Sequence, residues 1–151
     1  MTVHHVLVPI DFSPYAGQAL DDAIALAQKL RARITLLHVI QPQLIAGADM
    51  GAWPSPSFIE ELETAIMGDM EGYRARVTDA GLEGEIVVVH GVPFQEILNT
   101  AKARQVDLII MGTHGRTGLP HILLGSVAER VARMAPCPVL VARQPTPVAG
   151  S

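Results

Sequence analysis

The chain has 151 residues, 49% of them hydrophobic and 17% charged, with a formal net charge of -4 at pH 7. That size and apolar content predict one domain around one core and exclude a disordered chain. No apolar run reaches the roughly 18 residues of a membrane span. Met1 to His5 lacks the cationic start and apolar centre of a secretion signal, so the expected address is the cytoplasm, with no membrane partner. Charge is unevenly spread. Acids gather between Glu60 and Glu85, whereas Lys102, Arg104, Arg116, Arg130, Arg133 and Arg143 stand against only Asp107 and Glu129 in the last third. Such a balance is too weakly basic for a nucleic-acid face, yet it suits a small anion. The single cysteine, Cys137, excludes an internal disulfide and a CxxC redox or zinc motif, and reads as a small buried apolar residue.

In chain order, His4 to Ile10 is an apolar run of strand length, the pattern of a strand covered on both faces, with Asp11 at its carboxyl end. Ser13-Pro14 supplies an N-cap and a proline for the first helical position, and Ala16, Ala19, Leu20, Ala23, Ile24, Ala27 and Leu30 continue a helical stripe. Arg33 to Ile40 is a second strand. The connection from Gln41 to Pro56 exceeds the usual length of about 4 to 6 residues and is expected to be a surface loop. It leaves the carboxyl edge of the sheet, where it is also a candidate lid. Ser57-Phe58-Ile59-Glu60 matches a capping box, and the stripe Ile59, Leu62, Ile66, Met70, Tyr73, Val77 predicts a helix to about Ala80, closed at Gly81. Met67 and Met70 read as core filling. Glu85 to Val89 is a third strand, and Gly91-Val92-Pro93 opens a helix through Ile97, Leu98 and Ala101. Val106 to Met111, Val127 to Met134 and Pro138 to Arg143 complete the pattern as strand, helix and strand. The expected domain is residues 1–144, with 145–151 a frayed tail.

This alternation predicts an α/β fold: an open, doubly wound, five-stranded parallel sheet with helices on both faces, Rossmann-like in architecture. Ligands of such sheets lie at the carboxyl ends of strands near the switch point, where Asp11, Val39 and Gly112 are expected.

The most informative stretch is GTHGRTGLPHILLGS, from Gly112 to Ser126, set between a strand and a helix. A glycine-rich turn running into a helix N-terminus presents backbone N–H groups and a positive dipole end, which favours a phosphate. Ser126 begins Ser126-Val127-Ala128-Glu129, a capping box, so its hydroxyl has both a capping role and a phosphate role open to it. Several other chemistries lack their residues. There is no GxxxxGK[ST] loop and no lysine after Lys102, no GxGxxG after the first strand, no GxSxG elbow and no HExxH. Six histidines fall at no metal-ligand spacing, so no dedicated metal site is expected. His38 reads as a satisfied core histidine, and His114 and His121 lie within the turn, in reach of a phosphate.

The spacing Gly112, Gly115, then Gly125-Ser126 is G-x2-G-x9-G-[ST], and it resembles the ATP-binding signature of the universal stress protein family. The resemblance extends to VLVPIDFSPYA, ITLLHV, Gly91 with Pro93, VDLIIMGTHGRTGL and LLGSVAERVARMAPCPVLVAR, most of the chain outside residues 41–85. It implies the adenine-nucleotide-binding type of this fold and ATP as the ligand, with Mg²⁺ or Mn²⁺ bound through the phosphates. Pro9, Ile10, Asp11 and Val39 would hold the adenosine part, Asp11 meeting the ribose or a phosphate-bound metal. Met111 and Gly112 would lie beside the nucleotide, and Gly115, Gly125, Ser126 and Val127 around the phosphates, with His114 and Arg116 reaching them from the turn. It further implies a homodimer through the last strand, at Val139, Leu140 and Val141. The function expected from it is that of a nucleotide-responsive module in stress response. The alternatives are a weak ATPase, for which no catalytic residue is identified, and a nucleotide-independent scaffold.

Overall fold

In a computed structural model of the chain, residues 1–42, 54–114 and 124–143 are described. Five strands, β1 (His5–Pro9), β2 (Arg33–Ile40), β3 (Gly84–His90), β4 (Leu108–Gly112) and β5 (Val139–Ala142), form one sheet. All its pairings are parallel, in the order β3-β2-β1-β4-β5. The helices α1 (Pro14–Leu30), α2 (Pro56–Asp79), α3 (Pro93–Ala103) and α4 (Ser126–Met134) connect and cover it.

The apolar strand runs are explained by burial on both faces. Successive side chains point to opposite sides of a strand, and the core divides accordingly. Val6, Val8, Ile34, Leu36 and Ile110 pack with α1 and α2, whereas Leu7, Leu37, Ile109 and Met111 pack with α3 and α4. The doubly wound sheet expected from the sequence is therefore present.

Prolines open α1, α2 and α3. At α1 the Ser13 hydroxyl accepts from the Ala16 N–H at 3.2 Å and Pro14 begins the helix, as the sequence indicates. At α2 the same device acts two residues earlier than Ser57: Ser55 is the N-cap, accepting from the Phe58 N–H at 3.2 Å, with Pro56 next. The Ser57 capping box is thus corrected, because Pro56 has a φ already suited to the helix and no N–H to satisfy. Gly81, at φ +80°, ends this helix as expected, and Leu82 donates to the Val77 carbonyl at 3.2 Å. Of the two methionines, Met70 is fully buried but Met67 is 40% exposed, so only the former fills the core.

The amino end of the sheet holds a polar chain. Arg33 can only donate to His5 Nδ1 (3.3 Å), so His5 Nε2–H donates to Thr35 Oγ1 at 2.7 Å. Arg104 donates to Glu85 at 2.6 Å, and Thr35 reaches the same carboxylate at 3.4 Å. Burial, helped by the Arg33 charge, pushes the His5 pKa below its ordinary 6.5. The Arg104 hydrogen bond holds the Glu85 carboxyl below its ordinary 4.5. Both groups bind protons more readily when unfolded. Stability from His5 is therefore complete above about 6.5 and is lost as pH falls through its lower folded value; Glu85 acts likewise below 4.5. The melting temperature is expected to fall between about pH 7.5 and 5.5, and to fall less in His5→Gln, which keeps a donor for Thr35. Equal slopes in the two proteins would refute the assignment.

Candidate functional site

The sheet reverses its winding between β1 and β4, the switch point of a doubly wound fold. The β1–β4 ladder is recorded only at Val6↔Leu108 and Leu7↔Ile109. β1 stays paired with β2 as far as Pro9↔Leu37, and β4 with β5 as far as Gly112↔Ala142. Beyond these positions the carboxyl ends of β1 and β4 are each paired with their outer neighbour and not with each other, the place at which a doubly wound sheet leaves room for a ligand.

On the β1 side the chain turns into α1 through Asp11, Phe12 and Ser13. Asp11 Oδ1 accepts from the Ser13 N–H at 3.0 Å, an Asx turn that orients the carboxylate. Phe12 sits at φ +65°, a left-handed conformation that costs a non-glycine residue about 1–2 kcal/mol. Its ring lies 4.6 Å from His38 and 5.9 Å from Tyr73 between centroids. Ile10 is buried in the core, with its N–H on the Leu37 carbonyl at 2.7 Å and its own carbonyl against His38 Nδ1 at 2.6 Å. Pro9 and Val39 are half-buried, and Val39 packs on the α3/α4 side of the sheet.

On the β4 side, Met111 is buried and Gly112 has a packing reason to be glycine. A Cβ there would lie 2.7 Å from Tyr15 Cβ and 2.9 Å from the Tyr15 carbonyl carbon and oxygen. The first turn of α1 therefore rests directly on the end of β4. The Tyr15 ring also lies 5.3 Å from that of His114, which is half-buried.

The glycine-rich stretch leaves and returns at one point. Thr113 is buried, and its carbonyl accepts from the Gly125 N–H at 2.7 Å. That bond places the start of α4 beside the end of β4. Gly125, not Ser126, is the N-cap: its backbone is extended (φ -69°, ψ 160°), and its carbonyl takes the Glu129 N–H at 2.9 Å. The capping box on Ser126 is corrected accordingly, since no side chain caps this helix and Glu129 bonds Arg133 instead. Ser126 becomes the first helical residue, exposed, with its hydroxyl not used as a cap; Val127 follows, half-buried. First-turn amides have no intrahelical acceptor, so Ser126 and Val127 present N–H groups at this end.

The structure thus brings Pro9, Ile10, Asp11, Met111, Gly112, His114, Gly125, Ser126 and Val127 to one end of the sheet, with Val39 beside them on β2. Gly115, Arg116 and His121, and residues 43–53 of the candidate lid, lie outside the described residues. Two residues and one contact of this region escape a sequence reading: Tyr15, Thr113 and the contact of His38 with Ile10. Tyr15 alone left a signal, since a right-handed crossover lays the first turn of α1 over the strand beside β1.

Clefts of about 570 and 510 Å³ open at the opposite end of the sheet, around Arg33, Glu83 and their neighbours. The first is lined by charges already paired, Arg74 with Glu71 and Glu85 with Arg104. Among the described residues, no group of three or more His, Cys, Asp or Glu could hold a metal ion, and no helix is long and apolar enough to cross a membrane. Cys137 is half-buried against the α3/α4 core, and burial raises its thiol pKa.

A sequence model of the universal stress protein family matches residues 2–143. Universal stress protein YxiE of Bacillus subtilis is 32% identical over 144 residues, which cover 91% of this chain and 97% of YxiE. Universal stress protein MJ0577 of Methanocaldococcus jannaschii is 34% identical over 152 residues, covering 92% of this chain and 94% of MJ0577. The solved MJ0577 structure has a TM-score of 0.81 at 33% identity, over 97% of this chain and 99% of that one. The fold is shared by a universal stress protein solved in complex with cAMP, at TM-score 0.71 and 23% identity over 95% of this chain and 98% of the other. It is shared also by one from Archaeoglobus fulgidus in complex with dAMP, at TM-score 0.63 and 21% identity over 93% and 98%.

Proposed function

The chain belongs to the universal stress protein family, and from that premise we propose that it binds ATP between the carboxyl ends of β1 and β4. The observation that carries this reading is the Thr113–Gly125 bond, which sets the first-turn amides of α4, which have no intrahelical acceptor, beside the carboxyl end of β4 at the switch point. Phosphate oxygens fit that helix terminus, where the N–H groups and the dipole act together. In this reading Gly115, Gly125, Ser126 and Val127 surround the phosphates, with His114 and Arg116 reaching them from the turn. Pro9, Ile10, Asp11, Val39, Met111 and Gly112 flank the adenosine. Mg²⁺ or Mn²⁺ arrives with the phosphates, because Asp11 is the nearby carboxylate and a single carboxylate makes a poor cage. The adenine class is supported by the cAMP and dAMP complexes of this fold.

The protein acts as a nucleotide-responsive module in the cytoplasm and not as a fast enzyme. It works as a homodimer through β5, which lies at the sheet edge with Leu140 40% exposed. An open edge pairs readily with its twin across a two-fold axis. A monomer on size exclusion at micromolar concentration would contradict the dimer.

Denaturing the purified protein and identifying what it releases tests the ligand. The expected result is ATP, or a clear rise in melting temperature with millimolar Mg-ATP, lost in Gly115→Val. Neither nucleotide nor thermal shift in the wild type would sink the proposal, and turnover on the order of 10 per second would overturn the binding-module reading.

A further inference from the structure

We propose that His38 is a positioning residue for the nucleotide: from β2 it holds the turn that aims Asp11, without touching the ligand itself. This rests on the reading above, in which Asp11 meets the bound ATP.

The Ile10 carbonyl can only accept, so the 2.6 Å contact requires that His38 carry its proton on Nδ1. The Ile10 N–H is already tied to the Leu37 carbonyl. Both polar backbone groups of the residue before Asp11 are therefore anchored to β2, one through the backbone and one through the imidazole. On the other side of Asp11, the same imidazole lies against the ring of Phe12, whose left-handed backbone needs support from its surroundings. Tyr73 of α2 backs Phe12 from behind. Asp11 thus stands between two residues that His38 restrains, while its own Oδ1 is oriented by the Ser13 N–H. His38 is only half-buried and stands two residues after the fully buried Leu36 on the same strand, at a position where a purely apolar side chain would also fill space. What the imidazole adds is a donor at the distance of the Ile10 carbonyl.

ATP affinity measured by titration calorimetry on wild type, His38→Leu, His38→Asn, Asp11→Asn and the His38→Leu/Asp11→Asn double variant tests this. His38→Leu is expected to weaken ATP on the order of tenfold, and His38→Asn, whose amide keeps a donor near the Nδ1 position, to recover most of that loss. Because His38 acts through Asp11, the double variant should bind no worse than Asp11→Asn alone, a non-additivity that a general loss of packing would not give. Nitrogen NMR of the His38 ring should show Nδ1 protonated at neutral pH, a readout that needs no variant to fold. An unprotonated Nδ1, additive losses, or wild-type affinity in His38→Leu would each overturn the proposal while leaving ATP binding intact. A wild type that binds no ATP would instead overturn the nucleotide reading, and this inference with it.

Discussion

Gly112→Val is expected to lower the melting temperature of the nucleotide-free protein by about 2 to 12 °C. The added Cβ would stand 2.7 Å from Tyr15 Cβ and 2.9 Å from its carbonyl group, so backbone and not a flexible side-chain tip must yield. Overpacking of this kind costs about 1–3 kcal/mol. In a chain of this size each kcal/mol is worth roughly 2–4 °C. Displacing the first turn of α1 also drags Ser13, whose N–H orients Asp11, so ATP affinity should fall together with stability. Scanning calorimetry without ligand checks the first effect. An unchanged melting temperature would show that the contact with Tyr15 is not what keeps residue 112 a glycine.

Ser126→Asp should separate stability from binding in the opposite way. A carboxylate in the first turn of α4 complements the helix dipole and should add about 0.3–1 kcal/mol, the more readily because Ser126 has no capping bond to lose. The same charge faces the proposed phosphates. Two unit charges 4 Å apart repel by about 4 kcal/mol at an effective dielectric constant of 20. Exposure and salt reduce that figure, leaving a loss of ATP affinity on the order of 100-fold that shrinks as salt rises. Adenosine, which has no phosphate, should bind wild type and variant alike. If ATP binds both proteins equally well, the phosphates do not lie at the start of α4.

The sheet and its helices were legible because burial on two faces writes continuous apolar runs, and because Ser-Pro pairs announce helix starts. Residue-level detail was less so where two readings share one pattern. Ser55 and Ser57 both precede a helical stripe, and only the proline between them decides which one caps. Ser126 matches a capping box, yet the backbone puts Gly125 at the cap, and the S-x-x-E pattern is silent about which residue is extended. At the site, Asp11, Val39 and Gly112 followed from where the strands end, whereas Pro9, Ile10 and Met111 came from the resemblance to the family. Which ends face each other did not follow, since strand order leaves no mark on a single strand. Nor does the sequence tell that Gly112, read there as lying beside the nucleotide, also has a packing duty against Tyr15. His38 reads as a core histidine because the carbonyl it meets lies just past the end of another strand, far away in sequence.

The bond between the Thr113 carbonyl and the Gly125 N–H has an evolutionary consequence. It joins the two ends of the intervening stretch, whose length is set by the spacing of Gly112, Gly115 and Gly125, so the side chains carried between those glycines can vary without shifting β4 or α4. Selection can therefore retune that stretch, residue by residue, on a frame that does not have to be refolded each time.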